Sequence, residues 1–128
     1  MIVGIWANDS FAYVFGTALG KHKMAPRISP KKSWEGFAAG TVGTTAVWLA
    51  SGLLPGIGLS VGWRLAIGLA ASVAAVIGDL AESRIKREVG VKDSGTLLPG
   101  HGGYLDRFDS FIMVAIVTHY MLFAAGIR

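Results

Sequence analysis

The stretch from Ser83 to Asp109 concentrates the side chains of this sequence that could do chemistry. It holds nine of the twenty charged residues of the chain, together with a His-Gly-Gly turn. Asp79 lies just before it, and Asp106 and Asp109 are spaced to share one face of a helix. Three carboxylates at adjoining helix ends could hold a hard cation such as Mg²⁺ through oxygen. The neighbouring bases could bind the phosphoryl oxygens of a metal-bound phosphate: Lys86, Arg87, Lys92 and Arg107.

Each of these features has a simpler explanation when it is taken alone. A loop of mixed charge between two helices is usually a solvated connector, because exposed ion pairs contribute little. Lysines near a bilayer commonly bind anionic lipid without catalysing anything. The residues by themselves therefore leave both a metal-assisted phosphate site and a non-catalytic lipid-binding loop open.

The composition predicts an integral membrane protein. Hydrophobic residues make up 52% of the chain and charged residues 16%, against roughly 25% charged in a soluble domain. The mean hydropathy is +0.53, and the 18 glycines suit closely packed helices in a membrane. The absence of cysteine excludes disulfides and thiolate metal sites. The net charge of +4 is modest, and nucleic acid is not an expected partner.

Four apolar segments predict an all-α membrane domain over residues 1–128 with about four transmembrane helices. The segments are Met1–Gly20, Gly36–Gly52, Trp63–Leu80 and Phe108–Ile127. Asp9 interrupts the first segment, which also shows no cleavable signal pattern. A charge inside a span is expensive, which favours a functional role for Asp9 over a helix end in water.

The small residues of the second segment predict a face for close helix contact: Gly40, Gly43, Ala46 and Ala50. Ser33, just before this segment, could cap its first turn.

Two basic segments flank the middle pair of spans. Residues 21–35 carry five Lys or Arg and two prolines, which predict a loop rather than a helix. Residues 81–107 form the second basic segment, and the intervening Ser51–Gly62 turn has no Lys or Arg. The positive-inside rule therefore predicts that both basic loops face the cytoplasm from the inner membrane.

Two blocks of the sequence resemble the phosphatidate cytidylyltransferases, also called CDP-diacylglycerol synthases. The first block matches the pattern S-x-x-K-R-x4-K-D-x-G-x2-L-P-G-H-G-G-x-x-D-R-x-D at Ser83, Lys86, Arg87, Lys92, Asp93, Gly95, His101, Gly102, Gly103, Asp106, Arg107 and Asp109. The second block, WANDSFAYVFGTALGK followed by ISPKKSWEG, looks like the upstream elements of that family. It uses Trp6, Asp9, Ala12, Tyr13, Gly16, Ser29, Pro30, Lys31, Lys32, Ser33, Glu35 and Gly36.

The resemblance implies an enzyme that transfers the cytidylyl group of CTP to phosphatidic acid, giving CDP-diacylglycerol and pyrophosphate. It implies Mg²⁺ held by Asp79, Asp106 and Asp109, with a second cation left open. The implied catalytic residues are Asp79, Lys86, Asp106 and Asp109. The implied substrate-binding residues are Ser29, Lys31, Lys32, Ser33, Ser83, Arg87, Lys92, Asp93, His101, Gly102, Gly103 and Arg107. His101 is assigned to phosphate binding or loop shaping, because the lipid nucleophile is already an anion.

The family resemblance covers the chain but not the whole family domain, since members have several more spans before the Trp-Asp block. The chain is therefore similar to the C-terminal catalytic half, and a homodimer or a complementing N-terminal membrane segment is an expected partner. One alternative is a CTP-dependent polyprenol or phytol kinase, which would release CDP instead of pyrophosphate. The other is a non-catalytic membrane fragment that binds anionic lipid.

Overall fold

The computed structural model describes residues 2–54, 58–90 and 105–127, and for residues 105–109 it describes the backbone alone. These residues form four helices: α1 (Ile2–Leu19), α2 (Trp34–Ala50), α3 (Val61–Glu88) and α4 (Leu105–Ala124). An antiparallel hairpin of β1 (Lys23–Ala25) and β2 (Ser29–Ser33) joins α1 to α2, and a short 3-10 turn (Ser51–Leu53) follows α2. The described part of the chain is thus mostly helical, as predicted.

The apolar surface of the helices is consistent with a membrane protein. Among the described residues, α3 alone is long and apolar enough to cross a membrane, with a mean hydropathy of 1.7. Helices α1 and α2 have 18 and 17 residues, fewer than the roughly 20 that a perpendicular span needs. Large apolar side chains are nevertheless exposed on all four helices, including Trp6, Val42, Ile77 and Phe123. The number of spans stays a prediction.

The structure has a hairpin where the sequence predicted an irregular loop over residues 21–35. The Ile28 N–H donates to the Ala25 carbonyl oxygen at 3.2 Å, which closes a turn with Pro26 in its second position. The fixed φ of proline suits that position. Pro30 has no N–H to donate, and a two-stranded sheet tolerates it because each strand has an unpaired edge. The prolines therefore exclude a helix, as predicted, and one of them also forms the turn.

The first turn of α2 anchors both ends of the hairpin. Ser33 caps the helix as predicted, because its Oγ accepts the Gly36 N–H at 3.2 Å. The Glu35 carboxylate accepts the backbone N–H of His22 at 3.2 Å and contacts His22 Nδ1 at 2.6 Å. The hydrogen bond with the His22 side chain, supported by backbone hydrogen bonds, lowers the pKa of Glu35 from 4.5 to about 2.

Glycines bring α1 and α2 into close contact, as the sequence predicted for part of this face. A Cβ atom on Gly40 would lie 2.8 Å from Asn8 Oδ1, and one on Gly43 would lie 3.0 Å from the Phe11 ring. No larger side chain fits at either position without moving α1.

The predicted continuation of this face through Ala46 and Ala50 was wrong, because both residues are exposed. The contact instead continues through Thr44 and Trp48, which lie against Gly4 of α1. A helix turns once in 3.6 residues, so a contact line that starts at position 40 runs through 44 and 48.

Helix α3 holds the bundle together, since it packs against α2 and α4 and also touches α1. Its small side chains form the core with one residue each from α1 and α4: Ile5, Ala71, Ala74, Ala75 and Val114. Gly68 lies so close to α2 that a Cβ there would be 2.7 Å from Thr45 Cα. This packing sets the last turns of α3 beside the hairpin.

The close contact of α1 with α2 predicts a penalty for adding one methyl group. Gly40→Ala should lower the free energy of unfolding by about 1–3 kcal/mol, because the new Cβ overlaps the Asn8 side chain. Gly62→Ala is the matched control, since the nearest atom to its Cβ is 3.9 Å away, and it should change stability by less than about 0.5 kcal/mol. Denaturant titration in detergent micelles measures both, and equal effects would contradict the packing argument.

The His22–Glu35 contact predicts a pH-dependent contribution to stability. The folded state lowers the pKa of Glu35, so its carboxylate stabilises the fold above about pH 4.5 and loses that effect as the pH falls toward 2. Glu35→Gln removes the titrating group. The stability difference between wild type and Glu35→Gln should therefore be larger at pH 5 than at pH 3, as measured by thermal unfolding in detergent. A difference that stays constant over this range would refute the contact.

Candidate active site

A cavity of about 250 Å³ lies where the hairpin meets α1, the start of α2, the end of α3 and α4. Four charged residues line it: Asp9, Lys31, Lys32 and Asp79. Its neutral polar wall consists of Asn8, Tyr13, Ser29, Ser33 and Ser110. Apolar side chains complete it, among them Met24, Phe37, Ala75 and Val76. Two cations and two anions on one cavity provide groups for both a phosphate and a hard metal ion.

An ion pair between Lys32 and Asp79 is the central electrostatic contact of this cavity. The lysine ammonium on β2 contacts the Asp79 carboxylate on α3, and the two side chains are 25% and 37% exposed. The pair joins the upstream basic segment to the end of the third apolar segment. The structure thus brings a lysine that was predicted to bind substrate into contact with a carboxylate that was predicted to hold the metal.

All four residues predicted to bind substrate from the hairpin line the cavity: Ser29, Lys31, Lys32 and Ser33. Ser33 is only 3% exposed, and its hydroxyl oxygen already accepts a hydrogen bond as the cap of α2. Its role as the N-cap of α2 is a structural reason for a serine at this position. Contacts of all four residues with a substrate stay predictions.

Asp9 lies on the cavity wall, with its side chain accessible. Its Oδ1 is 3.5 Å from the Asn8 amide nitrogen. The location agrees with a functional position for this carboxylate, and its role in the reaction stays a prediction.

Helix α3 continues past Asp79 to Glu88, which carries three predicted residues away from the cavity. Ser83, Lys86 and Arg87 are helical but do not line it. Lys86 is about 10 Å from Asp79 along the helix axis, given a rise of about 1.5 Å per residue. Its ammonium lies 3.6 Å from the Glu82 carboxylate, which is only 8% exposed. Asp79, Glu82 and Lys86 share one face of the continued helix, as their spacing predicts, although Glu82 was not among the predicted site residues.

Several predicted residues lie outside the described part of the chain: Lys92, Asp93, His101, Gly102 and Gly103. The side chains of Asp106, Arg107 and Asp109 are also outside it, although their backbone forms the first turns of α4. The predicted metal ligands can therefore be compared with the structure at Asp79 only.

The described residues contain no group of three or more His, Cys, Asp or Glu side chains that could hold a metal ion. They do place two carboxylates, Asp79 and Asp9, on the wall of one cavity. Carboxylate oxygen is the donor that Mg²⁺ prefers, so the donors present fit a hard cation. Waters and substrate phosphates commonly complete the coordination of Mg²⁺ beside one or two carboxylates.

Two polar residues of the cavity were missing from the predicted site. Ser110 follows Asp109 directly and lines the same cavity as Asp79. Asn8 is 4% exposed and lies beneath the cavity. An uncharged polar residue next to an aspartate in an apolar segment is a detectable signal, although it does not distinguish a site residue from a helix-packing residue.

Comparison with known proteins agrees with this geometry. The model of the cytidylyltransferase family matches residues 1–125. A phosphatidate cytidylyltransferase of Mycobacterium leprae is 46% identical over 123 residues, which are 95% of this chain and 39% of that protein. The phosphatidate cytidylyltransferases of Staphylococcus saprophyticus and Staphylococcus aureus (strain COL) are 44% and 46% identical over 118 residues, which are 92% of this chain and 45% of each relative.

The chain thus spans less than half the length of these curated relatives. The match nevertheless covers nearly every described residue, including the hairpin and all of the helices that line the cavity. On this evidence the chain belongs to the cytidylyltransferase family.

Proposed function

We propose that the protein transfers the cytidylyl group of CTP to phosphatidate, giving CDP-diacylglycerol and pyrophosphate. The observation that carries this proposal is the cavity that Lys31 and Lys32 line together with Asp9 and Asp79. Its charges suit a phosphate with an associated cation. Its apolar wall suits an amphiphilic acceptor, and the family membership directs the choice to cytidylyl transfer.

The reaction that fits this cavity is an in-line displacement. A phosphate oxygen of phosphatidate attacks the α-phosphorus of CTP, a new P–O–P linkage forms, and the bond to pyrophosphate breaks. The attacking oxygen is already negative, so this chain needs to supply charge neutralisation and alignment rather than a strong base. We assign the neutralising role to Lys31 and Lys32, supported by Lys86, Arg87, Lys92 and Arg107. His101 with Gly102 and Gly103 would bind phosphate or shape the loop.

The residues that would hold a divalent cation are Asp79, Asp106 and Asp109. Asp79 already lines the cavity, and position 106 lies one helical turn before Ser110, which lines it too. A bound Mg²⁺, with or without a second cation, would supply charge neutralisation for the phosphates and the leaving pyrophosphate.

The proposed topology has four spans, with the hairpin and the end of α3 on the cytoplasmic side. The Lys32–Asp79 ion pair supports a common side for these two segments. The Ser51–Gly62 segment at the other end of α2 and α3 has no Lys or Arg, which supports the opposite side under the positive-inside rule. We also propose that a second copy or an N-terminal membrane segment completes the protein, because the relatives are more than twice as long.

Metal removal tests the activity directly. Vesicles that contain the protein are incubated with phosphatidate and CTP labelled in its α-phosphate, with Mg²⁺ or with a chelator. Labelled lipid should form only with Mg²⁺, together with unlabelled pyrophosphate. Asp106→Asn should lower the rate by at least about 100-fold without preventing membrane insertion. Release of CDP would indicate phosphoryl transfer instead, and turnover in the chelator would contradict the metal role.

The hairpin lysines provide a second test. Lys32→Ala should raise the KM for CTP by about tenfold or more, because the variant loses a cavity ammonium to which we assign a phosphate contact. Lys23→Ala removes an exposed ammonium from β1 that does not line the cavity, and it should leave KM within about twofold. Initial rates over a range of CTP concentrations measure both, and equal KM values for the two variants would remove the hairpin from the nucleotide site.

A further inference from the structure

A buried amide connects three helices beneath the cavity. The side chain of Asn8, on α1, is 4% exposed. Its Oδ1 accepts hydrogen bonds from Ser72 Oγ of α3 at 3.0 Å and from Thr44 Oγ1 of α2 at 3.3 Å. Ser72 and Thr44 are themselves 0% and 2% exposed. A single amide oxygen thus fixes α1 against both neighbouring helices, in a region where water is excluded.

The hydrogen-bond partners determine which way the amide points. The two hydroxyls could also accept hydrogen bonds, so they alone would permit the reversed amide. Asp9 removes this ambiguity, because its Oδ1 is 3.5 Å from Asn8 Nδ2. A reversed amide would bring its oxygen against a carboxylate oxygen, which is repulsive. The amide nitrogen therefore faces Asp9 and the amide oxygen faces the hydroxyls.

The backbone of α2 prevents Asn8 from adopting another position. A Cβ atom on Gly40 would lie 2.8 Å from Asn8 Oδ1 and 2.9 Å from the Asn8 carbonyl oxygen, so α2 closes directly over this residue. Asn8 and Asp9 both line the cavity that contains Lys32 and Asp79. The amide is thus held rigidly on one side and offers its N–H groups on the side of the site.

We propose that Asn8 is a positioning residue, which holds the Asp9 carboxylate on the cavity wall by donating its amide N–H while Ser72 and Thr44 fix its oxygen. It touches no reacting atom and acts through Asp9. This inference rests on the proposed cytidylyl transfer, and it extends that proposal to a residue that the sequence did not place in the site.

A double-mutant cycle tests whether Asn8 acts through Asp9. Asn8→Leu keeps the branching and the number of heavy atoms of the side chain and removes both polar groups. Ser72 retains Thr41 as a partner at 2.8 Å, and Thr44 retains the Gly4 carbonyl at 3.2 Å. In the wild-type background this substitution should lower kcat by about tenfold or more, with KM for CTP within about twofold. In an Asp9→Asn background it should change kcat by less than about twofold. If the two substitutions act independently, the kcat of the double variant will fall by the product of the two single fold changes. That result would overturn the inference.

Two further variants separate positioning from mere stability. Ile67→Val removes a buried methyl group from α3 at a residue that neither lines the cavity nor belongs to the Asn8 cluster, so it should lower the melting temperature while kcat of the folded protein stays within about twofold. Asn8→Asp keeps an acceptor for both hydroxyls but loses the N–H, and it should lower kcat as Asn8→Leu does. This variant decides the question if Asn8→Leu does not fold, and an unchanged kcat would overturn the inference.

The same measurements distinguish this inference from the proposed function. A wild-type protein in vesicles that makes no labelled lipid and gains no thermal stability from Mg²⁺ and CTP fails the proposed function, and the inference fails with it. If the wild type is active but the fold changes in kcat of the Asn8 and Asp9 variants multiply in the double variant, only the inference fails.

Discussion

The contact of Lys32 with Asp79 is the interaction on which the arrangement of this site depends. The two residues come from segments far apart in the sequence, and their contact joins the hairpin to the end of α3. The two side chains keep 25% and 37% of their surface exposed, so other ions can reach them. In the proposed reaction, a metal-bound phosphate would present a cation to the aspartate and an anion to the lysine. Substrate binding would therefore replace one ion pair by two, with no charge left unneutralised.

The support beneath this ion pair comes from small residues. Gly40 and Gly43 let α1 approach α2, and Gly68 lets α3 approach α2, so that short hydroxyl side chains can bridge the gaps between helices. Ser72 reaches Asn8 only because no larger side chain separates the helices. The rigidity of the cavity wall is thus a consequence of close packing, and glycine is required there for space rather than for flexibility.

The sequence predicted most of the helices and much of the described site, because those features depend on local pattern. The spacing of residues predicts the apolar helices and the Ser33 cap. The positive-inside rule predicts that Lys32 and Asp79 lie on the same side. The hairpin was missed because its formation depends on Pro26 occupying one position of a four-residue turn. Ala46 was wrongly placed in a contact because small size permits packing but does not direct it. Asn8 was missed because its partners lie on two other helices.

The composition of the cavity wall bears on the class of acceptor. A site for two freely soluble anions would gain from polar groups on all sides, whereas here Met24, Phe37 and Val76 line the same cavity as the lysines. An acceptor with a phosphate head and apolar tails satisfies both walls at once, because its charge meets the lysines while its carbon chain remains against apolar side chains. Exposed apolar residues such as Ile77 continue that wall along the outer surface of α3. The same geometry would suit a lipid kinase, so the choice of cytidylyl transfer rests on the family and not on the shape of the cavity.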